Sequence, residues 1–458
     1  MFVSLTNLSA ALTAQAGIFN LRLPKMVRVR QKFDAPVVED IPETVKLGLA
    51  KLHLPESINM GDTVAIAAGS RGIANIDIVV KAIVSYLKEV GAKPYIIPAM
   101  GSHGGATAEG QIDVLKHYGI TEETVNAPVV AKMEVVQIGE TEDGLPVLIG
   151  KDADEADHIV VLNRIKSHTD FSGSIESGLM KMLAIGLGKQ KGANMYHRAF
   201  FRYGFERVIR TVSQVVLSSG KVAFGVGLIE NASGQTARIA TVYADELEMM
   251  EQKLLVEAKK LSGRLPFDEL DLLIVDKMGK NISGTGMDTK VIGRLMQNFE
   301  PEPEKPAILR IFVRDLTEES NGNACGIGLA DFTTTRLVEK IDRCATYMNS
   351  ITALGPQKVR TPIYYDTDKE AIENALETVG LTKAKDCRVV RIESTLHLGE
   401  VEISESLLPA AQIRSDLEIV GELREMGFDE DGNLKPFGAK VRFLPFPKSK
   451  FPPFHFAL

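Results

Sequence analysis

Short apolar runs alternate with amphipathic stretches along most of the chain from Thr63 onward. The runs TVAIAAGSR, KPYIIPAMGSHGG and HIVVLNRI are typical of buried strands. NIDIVVKAIVSYLKEVGA and AEGQIDVLKHYGI have helical spacing and end at glycine. The pattern restarts in LDLLIVDKMG, AILRIFVRDL and CRVVRIE. Such alternation predicts an α/β fold with two lobes, each with a mainly parallel sheet flanked by helices.

The main domain boundary is expected near Gly263–Pro266, where a long amphipathic helix over 245–263 ends. This predicts an N-terminal α/β domain over 1–262 and a C-terminal α/β domain over 263–410. The segment 411–458 is expected to return to the first lobe. Further helices are predicted over 289–296 and 335–351.

Composition excludes several classes of partner and site. A net charge of -7 argues against a nucleic-acid-binding protein, and the chain has no apolar run of about 18 residues that would span a membrane. The three cysteines are far apart without a C-x-x-C, which excludes a disulfide scaffold, a ferredoxin-type iron–sulfur insert and a zinc ribbon. A reducing, cytoplasmic compartment is therefore expected.

Small and basic residues collect in the loops that follow predicted strands, where α/β sheets bind ligands. His103 lies in MGSHGGAT and is either a base close to a ligand or a turn histidine at a helix start. His168 lies in NRIKSHTDFSGS and is either a base oriented by Asp170 or part of a solvated turn. Arg71 in AAGSRGIAN is a candidate fork for a carboxylate.

Three further residues stand out by their context. Lys181 interrupts the apolar, small-residue-rich stretch IESGLMKMLAIGLG, so it is either a nucleophile for covalent attachment or a lysine at a helix edge. His197 in ANMYHRAFF is a candidate metal ligand, and Lys290 is a second candidate cation for a carboxylate. Lys189 is expected to be solvated or to contact an anion. The glycine-rich pieces match neither standard nucleotide-binding motif.

Arg71 after a first strand, GSHGG after a second and RIKSH after a third, followed by Lys181 and His197, together resemble the lactate racemase family over roughly residues 40–300. The resemblance implies an active site in the cleft between the two lobes. It also implies a nickel-pincer nucleotide, covalently attached to Lys181, whose nickel is ligated by His197. His103 and His168 would be the acid–base pair, Arg71 would orient substrate and a base, and Lys290 would hold the carboxylate.

The function implied by the resemblance is a racemase or epimerase of a 2-hydroxy acid that works by hydride transfer through the pincer. Ala67-Ala68-Gly69-Ser70 and Gly286-Met287 depart from the family pattern, which favours a substrate larger or more polar than lactate. Two alternatives stay open: a non-catalytic carboxylate-binding protein, and a lyase or dehydratase that uses the same histidines. Cofactor-maturation proteins are the expected partners, and homodimerisation is left open.

Overall fold

The structure is a computed structural model that describes residues 21–54, 57–69 and 72–437. Its strands form an eight-stranded sheet, a five-stranded sheet and a two-stranded hairpin. In chain order the strands are β1 Met26–Gln31, β2 Thr63–Ala68, β3 Lys93–Pro98, β4 Val135–Glu140, β5 Pro146–Gly150, β6 His158–Arg164, β7 Val222–Glu230, β8 Thr236–Tyr243, β9 Glu269–Met278, β10 Ala307–Leu316, β11 Phe332–Thr334, β12 Ile363–Tyr365, β13 Val389–Ile392, β14 Glu400–Ser404 and β15 Leu417–Ile419.

The five-stranded sheet of the first lobe has the order β3-β2-β6-β7-β8 and is parallel except for its last strand. Both faces of this sheet are buried. Ala65 and Ala67 pack into one apolar cluster, while their neighbours Val64 and Ile66 pack into another on the opposite face. This is why the strands read as continuous apolar runs in the sequence. The predicted α/β fold with mainly parallel sheets is confirmed.

The eight-stranded sheet of the second lobe has the order β12-β11-β10-β9-β13-β14-β1-β15. Its first five strands are parallel and the remaining pairings are antiparallel. β1 comes from the N-terminal end of the described chain but lies in this sheet, between β14 and β15. Strand β15, which follows residue 410, therefore pairs with β1 at the edge of the second lobe's sheet. The residues of β1 were expected to belong to the N-terminal domain.

Helices cover both sheets. They are α1 Ile41–Ala50, α2 Ile76–Glu89, α3 Ala108–His117, α4 Glu122–Val125, α5 Lys151–Asp154, α6 Leu179–Lys181, α7 Lys189–Tyr203, α8 Phe205–Ser218, α9 Leu247–Leu261, α10 Thr289–Ile292, α11 Thr335–Glu339, α12 Arg343–Thr352, α13 Asp368–Glu377 and α14 Leu408–Gln412. Within the described ranges, no helix is long and apolar enough to cross a membrane.

Two predicted helices are shorter than their apolar spacing suggested. The helix expected over 289–296 ends at Ile292, because Gly293 takes a left-handed conformation with φ 65°. The helix expected over 335–351 is split in two, since Asp342 caps a new helix by accepting a hydrogen bond from the Ala345 amide at 3.0 Å.

Candidate active site

The loops that carry the candidate residues leave the first lobe's sheet at one edge. β2, β3 and β6 are adjacent and parallel, so the segments that follow Ala68, Pro98 and Arg164 emerge side by side. This brings the turn of His103 and the loop of His168 to the same edge of the sheet, as the strand-end rule predicts. Arg71 and its neighbour Ser70 lie outside the described residues.

His168 and Lys181 are in direct contact. The Nζ atom of Lys181 lies 2.5 Å from Nε2 of His168. The other ring nitrogen, Nδ1, accepts a hydrogen bond from the backbone N–H of Asp170 at 3.0 Å. The two residues are thirteen positions apart in the chain, so the loop after β6 and helix α6 must fold against each other to create this pair.

A buried carboxylate fixes the loop that carries His168. Glu176 is fully buried, and its two oxygens accept from the backbone amides of His168 at 2.6 Å and Gly173 at 3.2 Å. Lys259 on α9 forms an ion pair with the same carboxylate at 2.6 Å. Charge-assisted hydrogen bonds of this kind are stronger than neutral ones, so the imidazole is held on a well-anchored backbone.

The turn that carries Lys181 is unusual in its backbone. Helix α6 spans only Leu179–Lys181 and continues directly into a π-helical turn over Met182–Gly186. π-helical turns inside helices are rare and occur frequently at functional sites. Asn163 at the end of β6 donates from its side-chain amide to the Gly178 carbonyl at 3.0 Å. The sheet therefore positions the start of the turn.

Glu251 on α9 binds the backbone of the same turn. Its side chain is almost fully buried and accepts from the Met180 amide at 2.8 Å. The approach is so close that a Cβ at position 178 would lie 2.4 Å from the Glu251 carboxyl carbon, so a side chain there would displace this carboxylate. Burial raises the pKa of Glu251 to about 7. Among the described residues its Oε1 atom has no hydrogen-bond partner.

His197 on α7 is oriented for ligation. Its Nδ1–H donates to the Ala193 carbonyl at 2.6 Å, which leaves the lone pair of Nε2 as the donor available to a metal. Burial lowers the pKa of His197, and the nearby charge of Lys181 lowers it further. Both effects favour the neutral imidazole, which is the form that binds metals.

A row of three phenylalanine rings connects His168 to His197. The His168 and Phe171 ring centroids are 4.6 Å apart, and Phe171 stacks on Phe205 at 5.0 Å. Phe205 stacks on Phe200 at 4.3 Å, and Phe200 meets His197 edge-on at 5.2 Å. The two histidines thus lie along one apolar wall that fixes both imidazoles by packing.

His103 lies in the turn after β3 and is half-buried. The side-chain amide of Gln111 holds this turn by donating to the carbonyls of Gly101 at 3.0 Å and His103 at 3.2 Å. A Cβ at Gly101 would lie 3.4 Å from the Ala193 side chain, so the turn packs against helix α7. The turn of His103 therefore packs against the helix that also carries His197, and the acid–base role expected for His103 stays a prediction.

Lys290 reaches the site from the second lobe. Its Nζ atom donates to the Phe171 carbonyl at 2.9 Å and contacts the Ser172 hydroxyl at 2.5 Å. Burial lowers the pKa of Lys290. The neighbouring Thr289 donates from its hydroxyl to the Thr169 carbonyl at 2.8 Å. The second lobe thus contacts the loop of His168 directly, and the carboxylate-binding role expected for Lys290 stays a prediction.

Several residues that shape the site were not identified from the sequence. They are chiefly Glu176, Glu251 and Lys358, which belongs to the second lobe and binds the Asp170 carboxylate at 2.5 Å. Glu251 had a detectable signal, because it occupies the position between Leu247 and Leu254 on the apolar face of α9. Lys189 is fully buried and binds the Asp152 carboxylate at 2.8 Å, so the expectation that it is solvated is wrong.

The described side chains include two donors that the predicted cofactor would use. His197 offers one oriented imidazole nitrogen, and Lys181 offers an amine that lies 2.5 Å from His168. In the parts of the chain that the structure describes, no group of three or more His, Cys, Asp or Glu side chains could hold a metal ion.

Comparison with known proteins gives a family match and a similar solved structure. Residues 19–206 match the family model described as the lactate racemase N-terminal domain. The structure of the lactate racemase apoprotein from Thermoanaerobacterium thermosaccharolyticum is 13% identical, with a TM-score of 0.45 over 86% of this chain and 96% of that chain. No curated protein matches the sequence. The matched family segment contains His103, His168, Lys181 and His197.

Proposed function

We propose, from the match of residues 19–206 to the family model described as the lactate racemase N-terminal domain, that the protein is a racemase or epimerase of a 2-hydroxy acid. It would use a nickel-pincer nucleotide attached to Lys181. The observation that carries the proposal is the contact of 2.5 Å between Lys181 and His168, with His197 oriented nearby by its bond to Ala193. In this proposal Lys181 is the attachment point, His168 an acid–base group and His197 the metal ligand.

Two residues would hold the cofactor. Lys181 would carry it through an amide-type bond, and His197 would ligate nickel through Nε2 because Nδ1 is already committed to the Ala193 carbonyl. When bound, this group supplies an acceptor and donor of hydride, which no amino-acid side chain provides. The Phe171, Phe205 and Phe200 row would exclude water from one side of the site.

The histidines would handle the hydroxyl proton of the substrate. Imidazole titrates near neutral pH, so His168 can take the proton from the hydroxyl oxygen and return it. His103, on the separate turn beside α7, would do the same on the opposite face of the substrate carbon. Inversion requires one acid–base group on each face, and these two loops at one sheet edge can supply them.

A cation is needed to hold the substrate carboxylate. Arg71 and Lys290 are the candidates, and a guanidinium can bind a carboxylate through two parallel hydrogen bonds. Lys290 already reaches across from the second lobe to the Phe171 carbonyl. A substrate in the cleft between the lobes would therefore be fixed between a base from the first lobe and a cation from the second.

The proposal also includes the cellular setting. The described cysteines are all free, in keeping with a reducing cytoplasmic compartment. Cofactor-maturation proteins would be needed to supply the nickel-pincer nucleotide. A small 2-hydroxy acid would be the substrate.

The test is a stereochemical assay on protein co-expressed with pincer-maturation proteins in the presence of nickel. Enantiopure 2-hydroxy acids of increasing size and polarity are incubated and their inversion is followed by chiral chromatography. We expect inversion of at least one acid and its loss in Lys181→Ala, with Lys191→Ala on α7 as the matched control that keeps activity. Unchanged turnover in Lys181→Ala would contradict the pincer, and tight ligand binding without turnover would favour the carboxylate-binding alternative.

A further inference from the structure

A buried glutamine binds the turn that carries His103 at two points. Gln111 lies near the start of α3, and none of its surface is exposed. Its side-chain amide donates to the Gly101 carbonyl at 3.0 Å and to the His103 carbonyl at 3.2 Å. The amide nitrogen carries two hydrogens, so these two bonds use both of its donors. We call this pair of bonds the Gln111 clamp.

The backbone of the clamped turn has little stiffness of its own. Gly101, Gly104 and Gly105 all have positive φ angles, between 60° and 64°. Glycine adopts such angles without a steric penalty and leaves the unrestrained chain more freedom than any other residue does. The bond within the turn from the Ala106 amide to the His103 carbonyl, at 3.2 Å, spans only three residues. A turn of this composition needs an anchor outside itself to keep one conformation.

Helix α3 lies close enough to the turn to be that anchor. A Cβ at position 110 would lie 2.0 Å from the Gly104 carbonyl oxygen, and a Cβ at position 104 would lie 2.6 Å from the Gly110 carbonyl carbon. The Thr107 side chain accepts from the Gly110 amide at 3.1 Å and caps the helix. The start of α3 is therefore fixed against the turn, and Gln111 reaches from it to the two carbonyls.

Packing alone would not select a glutamine at this position. The buried residues of α3 are Gln111 and Leu115, one turn apart on the same face. Within the described chain the buried Oε1 atom of Gln111 has no hydrogen-bond partner. A buried acceptor without a partner lowers stability, and an apolar side chain of similar length would avoid that loss. What such a side chain lacks is the pair of donors that form the clamp.

We propose that Gln111 is a positioning residue for His103, and that its clamp holds the glycine-rich turn in the conformation in which the imidazole serves as an acid–base group. This inference rests on the proposed function, which gives His103 its role in the reaction. The clamp itself belongs to the cofactor-free chain and can be tested there. Because Gln111 is fully buried, it acts through the turn and not on the substrate.

Loss of the clamp should affect the chemical step more than substrate binding. A general base must lie within about 2.6–3.2 Å of the proton that it takes. A displacement of about 1 Å can lower a rate about 100-fold. The cations proposed for the substrate carboxylate, Arg71 and Lys290, belong to other segments of the chain. Removal of the clamp should therefore lower kcat by about 30- to 100-fold and change KM by less than about threefold.

The chain offers a matched control for this substitution. Gln31 in β1 is also buried and donates from its side-chain amide to two backbone carbonyls, those of Arg264 at 3.0 Å and Leu398 at 2.7 Å. Gln111→Met and Gln31→Met each keep the length of the side chain and remove two bonds of the same kind. Gln111→Asn is a second test variant, because it keeps the donors on a side chain that is one methylene shorter.

Two measurements on the cofactor-free full-length chain test the clamp. Hydrogen–deuterium exchange followed by mass spectrometry reports on the peptide 100–107. NMR of histidine-labelled protein resolves the ring signals of the eight histidines, and His103→Gln assigns that of His103. In Gln111→Met and Gln111→Asn we expect exchange in 100–107 to be at least about tenfold faster and the His103 ring signal to broaden or split. In Gln31→Met both should match wild type.

Several results would overturn the inference. One is wild-type exchange in 100–107 together with an unchanged His103 signal in the Gln111 variants. Another is equally faster exchange in the α3 peptide 112–118, since Gln111 would then support the whole helix and not the turn. In cofactor-loaded protein, a raised KM with unchanged kcat in Gln111→Met would also contradict it. If loaded wild type inverts no acid, the proposed function fails, whereas exchange and NMR still decide whether Gln111 positions His103.

Discussion

Lys358 of the second lobe binds Asp170 of the first, with its Nζ atom 2.5 Å from the carboxylate oxygen Oδ1. Asp170 lies two residues after His168 and donates its backbone N–H to that imidazole. Together with the contacts of Lys290 to Phe171 and Ser172, this ion pair anchors the loop of His168 to the second lobe. The geometry of His168 therefore depends on both lobes.

The two sides of this ion pair should respond differently to mutation. The Lys358 side chain is only 4% exposed, whereas that of Asp170 is 26% exposed. Asp170→Asn leaves a buried ammonium without its counter-charge and should lower the free energy of unfolding by about 3 kcal/mol. Lys358→Met leaves a carboxylate that water can reach and should cost about 1 kcal/mol. Chemical unfolding measures the loss of unfolding free energy in each variant. Equal losses would contradict the argument that burial makes the lysine more dependent on its partner than the aspartate.

The buried carboxyl of Glu251 should make stability depend on pH. Folding raises its pKa from 4.5 to about 7, so the folded protein binds this proton more tightly than the unfolded chain does. The stabilisation is present below pH 4.5 and is lost as the pH rises through about 7, with a total on the order of 3 kcal/mol. Glu251→Gln does not titrate and should gain stability relative to wild type across that window.

The measurement is chemical unfolding of wild type and Glu251→Gln at pH 5, 6, 7 and 8. A difference between Glu251→Gln and wild type that stays constant over the series would show that the carboxyl is not protonated preferentially in the folded state.

The glycine at position 178 should be required for the turn of Lys181. Gly178→Ala places a Cβ 2.4 Å from the buried Glu251 carboxyl and should cost about 1–3 kcal/mol of stability, as overpacking usually does. Gly399→Ala, where a Cβ meets nothing within 4 Å, is the control and should be close to neutral. Thermal unfolding compares the two variants. A Gly178→Ala variant as stable as wild type would mean that the turn has room for a side chain at this position.

Substitution of His197 should remove the metal and leave the covalently attached cofactor in place. Under the proposed function the Nε2 lone pair of His197 would bind nickel, while the covalent bond would form at Lys181. His197→Gln, prepared with pincer-maturation proteins and nickel, should keep the adduct on Lys181 but lose most of its nickel in metal analysis. His397→Gln is the control that should keep both. Full nickel occupancy in His197→Gln would assign the ligand to another residue.

The local pattern of the chain predicted most strands and the edge of the sheet where the site lies. Apolar runs such as Thr63–Ala68, and Ile311–Val313 at the centre of Ala307–Leu316, are buried on both faces, and this makes them easy to recognise. The loops of His103 and His168 could be placed together because parallel strands end at the same edge. The contact between Lys181 and His168 was not predicted, since spacing does not show how the turn after β6 folds back.

Long-range pairing limited the remaining predictions. β1 lies between β14 and β15, and Arg30 pairs with Glu400 across 370 positions of the chain. Nothing in a short polar strand such as MVRVRQ identifies partners so distant. Lys358 was missed for the same reason, because its role exists only through Asp170 of the other lobe.

The most direct test of the account is the intact mass of the protein purified after co-expression with pincer-maturation proteins and nickel. The account predicts a covalent adduct that peptide mapping places on Lys181 and that is absent from Lys181→Ala. A lactate racemase prepared in parallel serves as the positive control. An unmodified mass for this chain, beside a control that gains its adduct, would contradict the assignment of Lys181 as the cofactor attachment site.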